Sequence, residues 1–303
     1  MLDRILPGNI YEILKENLNL SKLYEIRIRV NKPLMINYAS KFYFLGLEGV
    51  TDKDNSIICD KSLIEGIILR ASNHSIYSVN EDIKKGFITV SGGIRIGLCG
   101  DVVSENNIVK TIKNFNSINI RFPHEVKNCS LNIINYLIET GQVLNTLIVS
   151  PPGSGKTTFI RDICYQISSK NLALNLLLLD ERNEISASSM GINQMDVGNL
   201  TDIMLYSTKK QGFENGIRSM SPNVIIADEL GNKEDFDSIL YASNCGVSVV
   251  ATIHANSVID LKNKSNFSEV LNKKIFKRYV FLSSRNGAGT IEGVFDENFV
   301  RLY

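Results

Sequence analysis

Pro151-Pro-Gly-Ser-Gly-Lys-Thr-Thr158 brings two glycines, a lysine and two threonine hydroxyls together in the Walker A spacing, by which a chain cradles a nucleoside triphosphate. Gly153 and Gly155 let the backbone curl until successive N–H groups point at phosphate oxygens. A helix starting directly afterwards adds its positive N-terminal end. In this reading Pro152, Gly153, Ser154, Gly155, Lys156, Thr157 and Thr158 line ATP. Lys156 reaches the β and γ phosphates, and the Thr157 hydroxyl sits on Mg²⁺. The full pattern opens with glycine, and that position is Ser150 here; it ends the preceding strand, where a small side chain suffices. A glycine-rich turn holding Lys-Thr by chance is the competing reading, and the flanking strand and helix both speak against it.

Hydrolysis needs a further carboxylate to orient or activate water. Val224-Ile-Ile-Ala-Asp-Glu229 is an apolar run ending in two acids, the Walker B arrangement: Asp228 holds Mg²⁺ through water and Glu229 polarises the attacking water. The same pair could serve as a helix N-cap with a first-turn acid, a reading weakened by the P-loop upstream. Asp180-Glu-Arg-Asn-Glu184 ends another apolar run in the same manner. There Glu181 either shares the water-positioning role or belongs to a surface ion-pair network, and Arg182 either contacts phosphate or fixes Glu181. His254, in Val249-Val-Ala-Thr-Ile-His254, is either a γ-phosphate sensor with Thr252 or a structural hydrogen-bonder. His74 and His124 have no comparable context.

These groups must stand at the carboxyl ends of parallel strands, where ligands of open α/β sheets bind. From about residue 130 the chain has the required rhythm. Thr146–Ser150, Leu174–Asp180, Val224–Asp228 and Val247–Thr252 are apolar runs suited to strands covered on both faces. Residues 158–169 are expected to form a helix, as are 131–140, closed by Gly141 as a C-cap. The tail from 278 alternates around Asn286-Gly287 and reads as a terminal antiparallel addition. The N-terminal third differs. Tyr24–Val30 alternates apolar with charged residues as a half-buried strand, 61–72 has helical spacing, and 86–100 gives short strands with turn glycines. The expected architecture is an α/β protein, with a smaller α+β domain over 1–125 and the P-loop domain over 126–303.

Composition excludes several classes. The chain has 303 residues, 44% hydrophobic and 21% charged, with a net charge of +1, so neither disorder nor a fibrous fold is expected. Residues 1–124 carry 16 Lys+Arg against 13 Asp+Glu, and the remainder 17 against 19. A dedicated nucleic-acid binder would concentrate basic charge in one domain, so no direct nucleic-acid partner is expected. The local cluster Lys262, Lys264, Lys273, Lys274, Lys277 and Arg278 is either a solvated face or a surface for an acidic partner or lipid headgroups. Five cysteines without CxxC spacing suit reduced thiols in a cytoplasmic protein. No apolar stretch has the length of a signal-peptide core or membrane span. Other subunits must therefore hold the protein at any membrane it serves.

Several segments carry a more specific resemblance: Tyr24–Arg29, Ser75-Ile-Tyr-Ser78, Gly86-Phe-Ile-Thr-Val-Ser-Gly-Gly93 with Arg95 and Gly97, Asn119–Arg121, Asp180–Arg182, Gly216-Ile-Arg-Ser-Met-Ser-Pro222 and Gly246–His254. Together they resemble the stage III sporulation protein AA family, ATPases related to the hexameric ATPases of type II and type IV secretion. The resemblance runs from residue 24 to at least 254. It implies a RecA-like P-loop core behind a small N-terminal domain, assembled as a homo-oligomeric ring, a hexamer. It also implies a cytoplasmic position, peripheral at the inner face of the mother-cell membrane, beside membrane subunits of a channel between mother cell and forespore. The sequence departs from the family at Ile94, where His is usual, and at Ser150. In such a ring a neighbouring subunit can supply an arginine to the transition state; Arg95, Arg121 and Arg218 are the candidates, each with a structural alternative.

Three functions follow as expectations: an ATP-hydrolysing motor of a secretion-like channel, a nucleotide-gated scaffold that needs no turnover, and a RecA-type DNA motor, which the near-neutral charge of both halves disfavours.

Overall fold

The computed structural model describes residues 2–75, 79–123, 126–170, 172–189 and 191–303. Ile76, Tyr77 and Ser78 of the 75–78 segment, His124, and Glu125 at the expected domain boundary lie outside the described residues. The chain divides into two compact units, residues 1–124 with 187–194, and 125–186 with 195–303.

The first unit is an antiparallel sheet of seven strands with helices on it. Its order is Gly49–Thr51, Lys41–Gly46, Met35–Tyr38, Leu23–Arg29, Ile108–Arg121, Ile94–Glu105 and Phe87–Val90. Alternation along Leu23–Arg29 buries Leu23, Ile26 and Ile28, the half-buried pattern expected of such a sheet. The helix Lys61–Ala71 starts where the Asp60 side chain accepts the Leu63 N–H, and it buries Ile64, Ile67 and Ile68. These side chains join Ile10 and Leu14 of the helix Gly8–Asn17 in one core. Gly92, at φ +78°, turns the chain into the long hairpin, and its N–H donates to Gln194 Oε1 at 2.5 Å. The 187–194 segment thus closes on the glycine pair that the sequence marks as distinctive.

The second unit is a mixed, mostly parallel sheet. The strand order is Thr201–Leu205, Leu176–Asp180, Val224–Leu230, Ser248–His254, Thr146–Ser150, Arg278–Ser283 and Thr290–Phe295, with only the last antiparallel. Alternation now divides two apolar faces. Leu147, Val149, Leu177, Leu179, Ile225 and Val249 pack with Phe213 of the helix Lys209–Met220 and with Phe236 and Ile239 of the helix Lys233–Asn244. Ile148, Leu176, Leu178, Ile226 and Val250 pack with Phe159, Ile160 and Ile163 of the helix Lys156–Ser168. Continuous apolar runs are what strands covered on both sides require.

The helix expected over 131–140 is absent. Ile134–Tyr136 is a single 3-10 turn, and Ile138–Glu139 pairs with Gln142–Val143 as a short hairpin. Thr140 and Gly141 both take positive φ, 49° and 80°, which is the geometry of a tight two-residue hairpin loop. Gly141 therefore turns a hairpin and caps no helix. One 3-10 turn suffices to bury Ile133, Ile134 and Leu137, so apolar spacing over so short a stretch did not specify a helix.

All five cysteines are free, with Cys59 and Cys164 buried and Cys99 and Cys245 exposed. Burial pushes the Cys59 thiol up to about 11 and Cys164 higher still. At Cys129 burial, reinforced by the Asp162 carboxylate, pushes the thiol up to about 12. Because the thiolate is the reactive species, a disulfide reagent at neutral pH should label Cys99 and Cys245 rapidly in the native protein. The other three should appear only on unfolding. Fast labelling of four or five thiols would contradict this packing.

Candidate active site

The strand Thr146–Ser150 delivers the phosphate loop. Ser150 is buried, and its carbonyl accepts the Ala255 N–H at 3.2 Å, so this position is occupied in tying two strand ends together. Gly153 and Gly155 take φ +74° and +81°, a left-handed conformation that glycine reaches without strain. Lys156 then opens the helix Lys156–Ser168. Within the loop the buried Ser154 hydroxyl has no hydrogen-bond partner among the described residues. An orphaned buried donor in a glycine-turned loop at a helix start fits a polyphosphate, whose oxygens would satisfy it.

Lys156 is buried, and its Nζ lies 2.9 Å from His254 Nδ1. Burial lowers its ammonium below the ordinary lysine range, while Asp228 and Glu229 pull the other way. A polyphosphate would add further negative charge and favour the cation. Thr157 Oγ1 donates to Asp228 Oδ2 at 3.1 Å, so the hydroxyl and carboxylate suited to Mg²⁺ already meet. This pair could hold the ion with phosphate oxygens and water completing its shell, the way Mg²⁺ usually binds in phosphoryl-transfer sites. Pro152 and Gly153 are exposed and Thr158 half-buried along the same loop.

The two Walker B acids are set by a bulge. Pairing of Val224–Leu230 with Ser248–His254 slips between Ala227 and Leu230, and Glu229 takes φ +53°. A bulge re-aims side chains that regular alternation would send to opposite faces. Thr252, fully buried, holds it: its Oγ1 accepts the Glu229 N–H at 2.7 Å and hydrogen-bonds Asp228 Oδ1. The Glu229 carboxylate faces Arg182 Nη1 at 2.9 Å and His254 Nε2 at 3.4 Å. Glu181 pairs instead with Lys209 Nζ at 2.9 Å. Both acidic strand ends thus line a cavity of about 600 Å³ with Arg182, Lys209, His254 and Lys264.

Asp180 explains how Glu181 and Arg182 are presented. Its buried carboxylate accepts N–H bonds from Glu184, Ile185 and Ser186 and the Ser186 hydroxyl, folding the chain back immediately after the strand. Arg161, on the helix behind the phosphate loop, donates to the carbonyls of Glu184 and Ile185. Neither Lys209 nor this Asp180 turn figured in the sequence reading. Lys209 does open a helix whose capping box, Thr208 with Gln211, is a readable start signal.

Arg218 stands elsewhere. It is exposed in the last turn of Lys209–Met220, and the next strand begins at Val224. The helix runs against the strands, so Arg218 lies at the amino edge of the sheet, opposite the edge that carries the phosphate loop. It is not part of the cluster formed by its own chain. Arg95 and Arg121 face each other across two strands of the first unit, Arg95 lying 3.6 Å over the Phe87 ring.

Residues 1–302 match the profile of the family described as Sporulation stage III, protein AA. The chain belongs to that family. A relative from Bacillus subtilis (strain 168), Stage III sporulation protein AA, is 35% identical over 280 residues, which is 91% of this chain and 88% of the relative. Among solved structures, the pilus retraction motor PilT with bound ADP aligns at a TM-score of 0.61 and 15% identity over 91% of this chain and 78% of its own. The Legionella pneumophila ATPase DotB aligns at 0.56 and 13% over 92% and 77%. The fold of this family member is therefore that of the secretion ATPases: an α/β core behind an N-terminal antiparallel-sheet domain. Among its described residues no helix is long and apolar enough to cross a membrane.

Proposed function

We propose that the chain is a Mg²⁺-dependent ATP hydrolase that works as one subunit of a homo-oligomeric, hexameric ring. The ring lies at the cytoplasmic face of the mother-cell membrane, where it powers or assembles a secretion-like channel to the forespore. One observation carries the enzymatic part: Lys156, Thr157, Asp228, Glu229 and His254 converge in a single hydrogen-bonded cluster at the carboxyl edge of the sheet. Backbone and Lys156 take the polyphosphate, Thr157 and Asp228 the metal, and Glu229 the attacking water. The family membership supports the sporulation setting, and the likeness to PilT and DotB supports the ring. Membrane subunits of the channel are the partners in this reading, in which no described helix is long and apolar enough to cross a membrane. Arg218, set apart from its own site, is the arginine free to serve a neighbour.

A second reading has an observation of its own. Glu229 is held by Arg182 and His254 at once, a resting arrangement that a nucleotide-gated scaffold would also need. The purified chain, alone and with its membrane partners, decides the enzymatic part. Phosphate release from ATP is expected with Mg²⁺ and should vanish on chelation. Nucleotide binding with no phosphate release under any of these conditions would leave only the scaffold.

A further inference from the structure

The phosphate loop has two flanks, because the strand Thr146–Ser150 lies between Ser248–His254 and Arg278–Ser283. On the first flank Lys156 meets His254, and one strand further Thr157 meets Asp228. That flank takes the metal and the terminal phosphate. A linear polyphosphate anchored there would run its nucleoside end towards the other flank. Register pairs Val149 with Phe281 in parallel, so the turn after Ser283 emerges level with the loop.

That turn is built against the loop. The Gly289 N–H donates to the Ser154 carbonyl at 2.9 Å. A Cβ on Gly155 would come within 3.2 Å of Gly289 N and 3.3 Å of the Ala288 Cβ, so any side chain there would press on this turn as well as strain the positive φ. The turn is internally tied: Thr290 Oγ1 accepts the Asn286 N–H and donates to the Gly287 carbonyl, while Ser283 Oγ accepts the Arg285 N–H. Its one charged side chain, Arg285, is 77% exposed, with Glu292 at 3.9 Å. A turn fastened to the phosphate loop thus presents an exposed guanidinium whose ion pair with Glu292 is long.

We propose that the 284–289 turn is the nucleoside-binding element of the site, with Arg285 stacking its planar guanidinium on the base of the bound nucleotide. A planar guanidinium stacks on such a flat π face, and an ammonium, a compact point charge, replaces it poorly there. The assignment rests on the ATPase reading above and adds the group that recognises the nucleoside.

The test is direct binding to the full chain with Mg²⁺ by calorimetry, using ATP and inorganic tripolyphosphate, which lacks the nucleoside, as separate probes. Arg285→Ala should weaken ATP by about tenfold, the measure of a partly desolvated guanidinium–ring contact, and leave tripolyphosphate unchanged. Arg285→Lys should fail to restore ATP affinity. Equal weakening of both probes would make Arg285 a phosphate contact and overturn the proposal, as would unchanged ATP affinity in Arg285→Ala. Wild-type chain that binds neither probe would remove the ATPase reading itself, and the proposal with it. Binding of tripolyphosphate but not ATP by the wild type would overturn the proposal alone.

Discussion

Lys156→Ala should lose ATP affinity on the order of 10²-fold, whereas Glu229→Gln should bind ATP within a few-fold of the wild type and lose about 10²- to 10⁴-fold in turnover. The difference comes from where each charge acts. The Lys156 ammonium is buried beside the loop, so its removal leaves bound phosphate without a desolvated counter-charge. Glu229 lies off the loop, its oxygens turned to Arg182 and His254. Glutamine keeps the shape and one acceptor oxygen there, but loses the charge that pairs with Arg182 and cannot act as a base. Binding by calorimetry and phosphate release, measured on both variants together with spore formation, separate the two readings of function. A motor requires both variants to fail in sporulation. A scaffold requires Glu229→Gln to sporulate and Lys156→Ala to fail. Wild-type phosphate release by Glu229→Gln would remove Glu229 from the chemistry altogether.

How much of this was legible depends on how local the signal is. The Walker A loop declares itself within a few residues, because its glycines, lysine and hydroxyls act through backbone geometry next to them in sequence. The strands Leu176–Asp180 and Val224–Leu230 were readable because both their faces are buried. The strand Thr201–Leu205 at the sheet edge is half-exposed, with Asp202 exposed at its second position, and sends no such signal. Arg218 is a candidate for a neighbour's site and not for its own, a distinction that sequence proximity does not carry. It precedes the Walker B strand by a few residues, but a helix that runs against the strands puts its last turn at the wrong edge for its own site. The pairing of Lys209 with Glu181 spans 28 positions and depends on how that same helix is laid on the sheet. Arg182 was expected at phosphate or at Glu181; in the structure it reaches Glu229, because the bulge turns that carboxylate towards it.

The bulge makes Thr252 the residue with the largest effect among those that touch neither nucleotide nor metal in this reading. Glu229 sits in the left-handed region, which costs a non-glycine residue about 1–3 kcal/mol and persists only where surrounding contacts enforce it. Thr252 Oγ1 supplies that contact by accepting the Glu229 N–H, and the same hydroxyl orients Asp228. Thr252→Val keeps the volume of a fully buried side chain and removes the hydroxyl. One buried N–H and one carboxylate oxygen then lose their partner, a destabilisation of about 1–3 kcal/mol that denaturant unfolding would read. Turnover should fall about 10- to 100-fold, and half-maximal rate should need more Mg²⁺, since an unoriented Asp228 holds the ion less well. Thr252→Ser, which retains the hydroxyl, should recover the Mg²⁺ dependence even where it loses some packing. A lowered turnover with unchanged Mg²⁺ dependence would mean that Thr252 acts through Glu229 alone. Wild-type values of both in Thr252→Val would mean that the bulge is held by the sheet and not by this side chain.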